Sequence, residues 1–95
     1  MLNLSEVFEK FDDEYGKFER IDNPLSPRSD LCAFVLLDKL APGTEKMLSY
    51  AGHDQVVLSV DCDALASSAT EADIKTLVRC RVRYNESENS LEMFV

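Results

Sequence analysis

Apolar residues in the first eighteen positions recur on one side of a helix. Leu4, Val7, Phe8, Phe11, Tyr15 and Phe18 follow the i, i+3, i+4, i+7 spacing that makes an apolar stripe. Asn3 followed three residues later by Glu6 has the form of a capping box. Glu6 with Lys10 and Asp13 with Lys17 are i,i+4 pairs of favourable sign. The pattern predicts one helix running to about Asn23, where Pro24 pushes its predecessor out of helical geometry. Gly16 is expected to weaken that helix without breaking it.

After the turn-rich connector "NPLSPRSD", the run "LCAFVLLDKL" is apolar on nearly every side. Its Leu and Ala content, Ser-Pro and Ser-Asp before it and "APG" after it favour a helix in the middle of the core. The stretch "GTEKMLSYAGHD" reads as a helical turn and loop. "QVVLSVD" alternates, with Val56, Leu58 and Val60 on one side, and predicts a strand. "CDALASSA" is too short and too mixed to assign. Thr70 and Asp73 form a second capping-box pattern, opening a helix whose stripe is Ile74, Leu77 and Val78.

Beyond Cys80 the period changes from 3.6 to 2. If Asn85 faces Ser90 across a four-residue loop, then Tyr84 faces Leu91, Val82 faces Met93 and Cys80 faces Val95 on one side. Arg83 with Glu92 and Arg81 with Phe94 fall on the other side. This register turns the apolar residues inward and sets Arg83 against an acid, whereas a slip of one residue would set Arg83 against Leu91. The expected fold is therefore α+β, in the order helix, helix, strand, helix, strand, strand. Two to three helices would cover one face of a small, mainly antiparallel three-stranded sheet ending in a C-terminal hairpin.

Length and composition bound the function. Ninety-five residues, 45% hydrophobic and 29% charged, suit a single globular domain over 1–95. A large ligand cavity would use much of so small a core, which favours an interaction module over an enzyme. Eighteen acidic against ten basic residues leave a net charge of −8. That balance opposes direct nucleic-acid binding and attachment to anionic membranes, and suits a protein partner with a basic surface. No apolar run reaches membrane-spanning length, and the first residues lack the pattern of an export signal. Three scattered cysteines, Cys32, Cys62 and Cys80, read as free thiols in a reducing cytoplasm.

Several groups have residue types that carry chemistry. Lys75, Arg79, Arg81 and Arg83 cluster near the C-terminus, where they are read as a solvated, partly paired face or as a small anion-binding patch. His53 and Asp54, with Asp61 and Asp63 of "DCD", are the only residues on which a metal-dependent hydrolase could centre. Cys32, Cys62, Cys80 and His53 are formally a zinc set, but without the short C-x₂₋₄-C spacing that such sites carry. The three glycines form no phosphate-cradling array. The sequence thus points to no catalytic residue, metal or cofactor.

The favoured reading is a small acidic interaction protein, an inhibitor or adaptor. It would use Glu9, Asp12, Asp13 and Glu14 of the first helix, with Glu86 and Glu88 of the hairpin loop, against a basic partner. Its sharpest form is a nucleic-acid mimic, a phage or anti-defence protein whose carboxylates stand in for phosphates. The second reading is a homo-oligomeric structural subunit, a homodimer in its simplest form, joined through the aromatic stripe of the first helix or through the C-terminal strand. The third is the hydrolase centred on His53, Asp54, Asp61 and Asp63.

Overall fold

A computed structural model describes residues 1–94. The elements in chain order are α1 (Leu4–Lys10), two 3₁₀ turns (Asp12–Glu14 and Phe18–Arg20) and α2 (Ser29–Leu40). These are followed by β1 (Leu48–Ala51), β2 (Gln55–Leu58), α3 (Cys62–Ser68), α4 (Glu71–Arg79), β3 (Val82–Asn85) and β4 (Ser90–Phe94). The class is α+β as expected, but among the described residues there are four α-helices and a four-stranded sheet in the order β1-β2-β4-β3. Every neighbouring pair is antiparallel.

The hairpin register agrees with the reading from alternation. Val82 lies opposite Met93, Arg83 opposite Glu92, Tyr84 opposite Leu91 and Asn85 opposite Ser90. Leu58, Val82, Leu91 and Met93 are buried, while Val57, Arg83, Glu92 and Phe94 lie on the other face of the sheet. The expected pairing of Cys80 with Val95 lies outside the described residues. Arg81 is not in the ladder opposite Phe94. Its φ of 74° makes it the left-handed residue that ends α4, a position glycine commonly takes.

Three expectations need correction. The first helix does not run to Asn23; it stops after Lys10, and Gly16 turns the chain with φ 76°. Asp12, Asp13 and Glu14 would add three acids to the negative end of the helix dipole, which favours unwinding there. The two 3₁₀ turns instead fold back on α4, where the Gly16 amide donates to the Val78 carbonyl at 3.2 Å. Asn3 does cap α1, its side chain accepting from the Glu6 amide at 3.2 Å. Lys10 pairs with Glu71 of α4 at 2.7 Å, not with Glu6.

The second correction is a missed strand and a missed helix. Residues 48–51, read as loop, form the edge strand β1. All four are exposed, and a bulge interrupts the pairing between Leu48 and Tyr50. So short and irregular a segment has no period of its own and becomes a strand by pairing with β2. Residues 62–68 are helical because Asp61 caps them, accepting from the amides of Asp63 and Ala64 at 3.0 and 3.1 Å. The Thr70–Asp73 capping box of α4 forms in both directions, and Ile74, Leu77 and Val78 are buried as the stripe requires.

Third, α2 is a helix but not central. It buries Cys32, Ala33 and Leu37, and leaves Leu31 and Val35 in the open. The two surfaces read from the sequence for self-association are largely used within the chain. Leu4, Val7 and Phe8 are spent in the chain's own core, with Phe11, Tyr15 and Phe18 packed against it. The last strand, β4, lies between β2 and β3, so it offers no free edge. No helix of the described residues is long and apolar enough to cross a membrane.

Candidate functional site

Ser5, Phe8, Glu9 and Asp12 fall at i, i+3, i+4 and i+7, which places them along one side of α1 and its unwound end. That side faces β3. Between the two lies an open groove of about 300 Å³, lined also by Tyr15, Arg83, Tyr84 and Glu86. Three of the six acidic residues singled out in the sequence, Glu9, Asp12 and Glu86, are thereby brought together. Asp13 and Glu88 are exposed but do not line the groove.

The apolar lining is both aromatic and aliphatic, Phe8, Tyr15 and Tyr84 with Val78 and Val82. Phe8 stacks on Tyr84 with centroids 5.9 Å apart. The Tyr84 hydroxyl donates to the Asn89 side chain at 2.7 Å, which ties the hairpin loop to the groove wall. Burial pushes the Tyr84 phenol above its ordinary value, and the neighbouring Cys62 and Glu86 add to the shift, so it stays a hydrogen-bond donor at neutral pH. Tyr15 carries the Arg83 guanidinium 5.4 Å above its ring. The sequence marks Tyr15 only as part of the aromatic stripe and Tyr84 only as an inward hairpin residue; both line this groove. Tyr84's inward register and the i, i+3 spacing of Glu9 and Asp12 are the signals that join them to it.

Glu14 is the correction to the acidic strip. It is 8% exposed and points inward. Arg79 Nε and Nη2 donate to its Oε1 at 2.8 and 2.6 Å, and Arg20 Nη1 donates to its Oε2 at 2.7 Å. Arg79 Nη1 also donates to the Arg20 carbonyl at 3.2 Å. The hydrogen bonds from Arg79, against the opposing cost of burial, hold the Glu14 carboxyl below its usual range, helped by the charges of Arg20, Arg79 and Lys75. This carboxylate fastens the 3₁₀ segment to α4 and has no free face for a partner.

The four cations near the C-terminus have different neighbours. Arg79 is occupied by Glu14. Lys75 lies over the Phe11 ring at 5.7 Å, and Arg83 lies between the rings of Tyr15 and Phe94. Arg81 sits at the turn beside Gly16. The four cations are spread over separate partners.

Nor do the hydrolase residues converge. His53 and Asp54 are exposed in the turn between β1 and β2, while Asp61 and Asp63 cap and open α3 beyond the far end of β2. Four strand residues at about 3.3 Å each keep the two pairs more than about 10 Å apart. Among the described residues no three His, Cys, Asp or Glu side chains are grouped to hold a metal ion, so the zinc set of Cys32, Cys62, Cys80 and His53 is not assembled.

The three thiols are buried. Burial, with Asp61 and Asp63 adding to it, pushes Cys62 up to about 11. Burial and the neighbouring Cys32 push Cys80 up to about 12. A thiol held protonated is a poor nucleophile. Ellman's reagent is therefore expected to titrate almost no thiol in the folded protein at pH 8, and all three after unfolding in guanidinium. Prompt reaction of even one equivalent in the folded state would contradict the burial described here.

Comparison with protein-family models, curated proteins and solved structures returned no match.

Proposed function

We propose that this protein is a non-enzymatic binding protein, an inhibitor or adaptor, that holds a basic segment of a protein partner in the groove between α1 and β3. The observation that carries this reading is that Glu9, Asp12 and Glu86 line one groove together with Tyr15 and Tyr84. Carboxylates attract a Lys or Arg side chain, and the ring faces accept its cationic head and apolar stem. Arg83 over Tyr15 is an internal example of that contact. At about 300 Å³ the groove is at the small end of ligand pockets, which suits one or two inserted side chains better than a whole substrate. The net charge of −8 would steer such a partner from a distance.

The nucleic-acid-mimic form of the idea fits less well. Imitating a phosphate backbone takes a track of charges, and here three carboxylates share one hollow, with Arg83 among them.

The test is capture of partners from lysate on immobilised protein, at low and high salt, with the triple variant Glu9→Gln, Asp12→Asn, Glu86→Gln as control. Neutralising three carboxylates without changing their size should weaken binding by at least about tenfold while leaving the melting temperature nearly unchanged. Raising the salt should release the wild-type partner. Capture that ignores both salt and the triple variant would refute the groove as the binding site.

A further inference from the structure

Helix α2 is apolar on two sides and covered on one. Cys32, Ala33 and Leu37 face the core, while Leu31 and Val35 are 44% and 43% exposed. Arg28, at the N-cap, and Asp38 are exposed too. Positions 28, 31, 35 and 38 follow the alternating spacing of three and four that lines up a seam along a helix. The seam therefore reads cation, Leu, Val, anion from end to end. Among the described residues neither Arg28 nor Asp38 takes part in an ion pair.

We propose that this seam is the interface of a homodimer in which two α2 helices pack antiparallel about a two-fold axis. Leu31 of each copy then meets Val35 of the other, and Arg28 of each meets Asp38 of the other. Both pairings share one midpoint, position 33, so a single axis satisfies the apolar and the charged contacts together. This self-complementarity is what an isologous interface requires. A parallel pair would set Arg28 against Arg28 and Asp38 against Asp38, so the charges also select the orientation. The exposed edge strand β1 is the rival surface, but it is four residues long, interrupted by a bulge, and carries nothing that specifies a partner. Three turns of helix bury less than the roughly 1,200 Å² of a standard interface, so the contact belongs with the weak, concentration-dependent ones.

Sedimentation equilibrium on the full chain, from about 10 µM to about 1 mM, tests this. The wild type should move from monomer toward dimer over that range. Val35→Glu should remain monomeric. Arg28→Asp and Asp38→Arg should each weaken dimerisation by at least about tenfold, because each sets like charges face to face at both ends. An equimolar mixture of these two single variants should recover dimer, since every end contact is again between opposite charges. All four positions are exposed, so circular dichroism should show each variant folded. A wild type that stays monomeric at the highest concentration overturns the proposal. A dimer unaffected by Val35→Glu does the same, and a dimer unaffected by both charge reversals overturns the antiparallel register.

Discussion

Leu91→Ala should destabilise the domain by about 2–5 kcal/mol, the usual cost of cutting a core leucine back to its β-carbon. Leu91 is 0% exposed in β4, flanked across the sheet by Leu58 of β2 and Tyr84 of β3, with the helices packed on the face it points to. The sheet neighbours are held by hydrogen bonds on both sides of β4, so they have little freedom to close the cavity. A domain of this length has about 5–14 kcal/mol of stability in total, so the loss is a large share of it. At about 4–8 °C per kcal/mol the melting temperature should fall by at least about 8 °C. Leu25→Ala, on an exposed loop leucine, should move it by less than about 3 °C. Urea titrations of both variants give the check. Equal midpoints would mean that Leu91 is not where the core is densest.

Glu14→Ala should produce the second large effect, and a far larger fall in melting temperature than Asp13→Ala one residue away. Asp13 is exposed and takes no part in an ion pair among the described residues, whereas Glu14 is the common acceptor for Arg79 and Arg20. Removing it leaves the half-buried Arg79 facing its neighbours without a counter-charge, and frees the 3₁₀ segment from α4. The pH dependence follows from the lowered carboxyl. In the unfolded chain Glu14 takes up a proton near its ordinary value of 4.5, while in the folded protein it does so only at lower pH. Its contribution is then fully present above about 4.5 and is lost as pH falls through the folded value. Thermal melts of wild type and Glu14→Gln should therefore differ at pH 7 and converge on acidification below that point. A gap that stays constant down to strong acid would show that Glu14 acts by shape alone.

The acidic residues grouped from the sequence fall in two places, the groove between α1 and β3 and the cluster of Glu14 with Arg79 and Arg20. Glu9, Asp12, Asp13 and Glu14 are nearly consecutive, and on a continuous helix they would spread over one solvated side. The break after Lys10 changes that. Asp12 stays beside Glu9 on the groove, and Glu14 turns under Arg79. Arg20 is six positions from Glu14, but Arg79, which donates two of its three hydrogen bonds, is 65 positions away on another helix and leaves no local mark. Arg79 likewise reads as one of four neighbouring cations until α4 is laid against the 3₁₀ turns.

Where side chains repeat over several turns or pair across a tight hairpin, the pattern alone was decisive. The stripe Ile74, Leu77 and Val78 with its Thr70–Asp73 cap and the register of Val82–Asn85 against Ser90–Met93 are local periodicities that one burial face satisfies in only one way, whereas the helix over residues 31–40 rests on composition and flanking turn residues. Those residues also settle the α+β class. Tertiary contact decided the rest. Strand β1 exists through its pairing with β2, the 3₁₀ turns after α1 are held where Glu14 meets the distant Arg79, and the exposed seam of α2 appears only once the neighbours of that helix are in place. A chain of this size gains its stability from contacts between distant segments, and such contacts leave no period in either segment to be read beforehand.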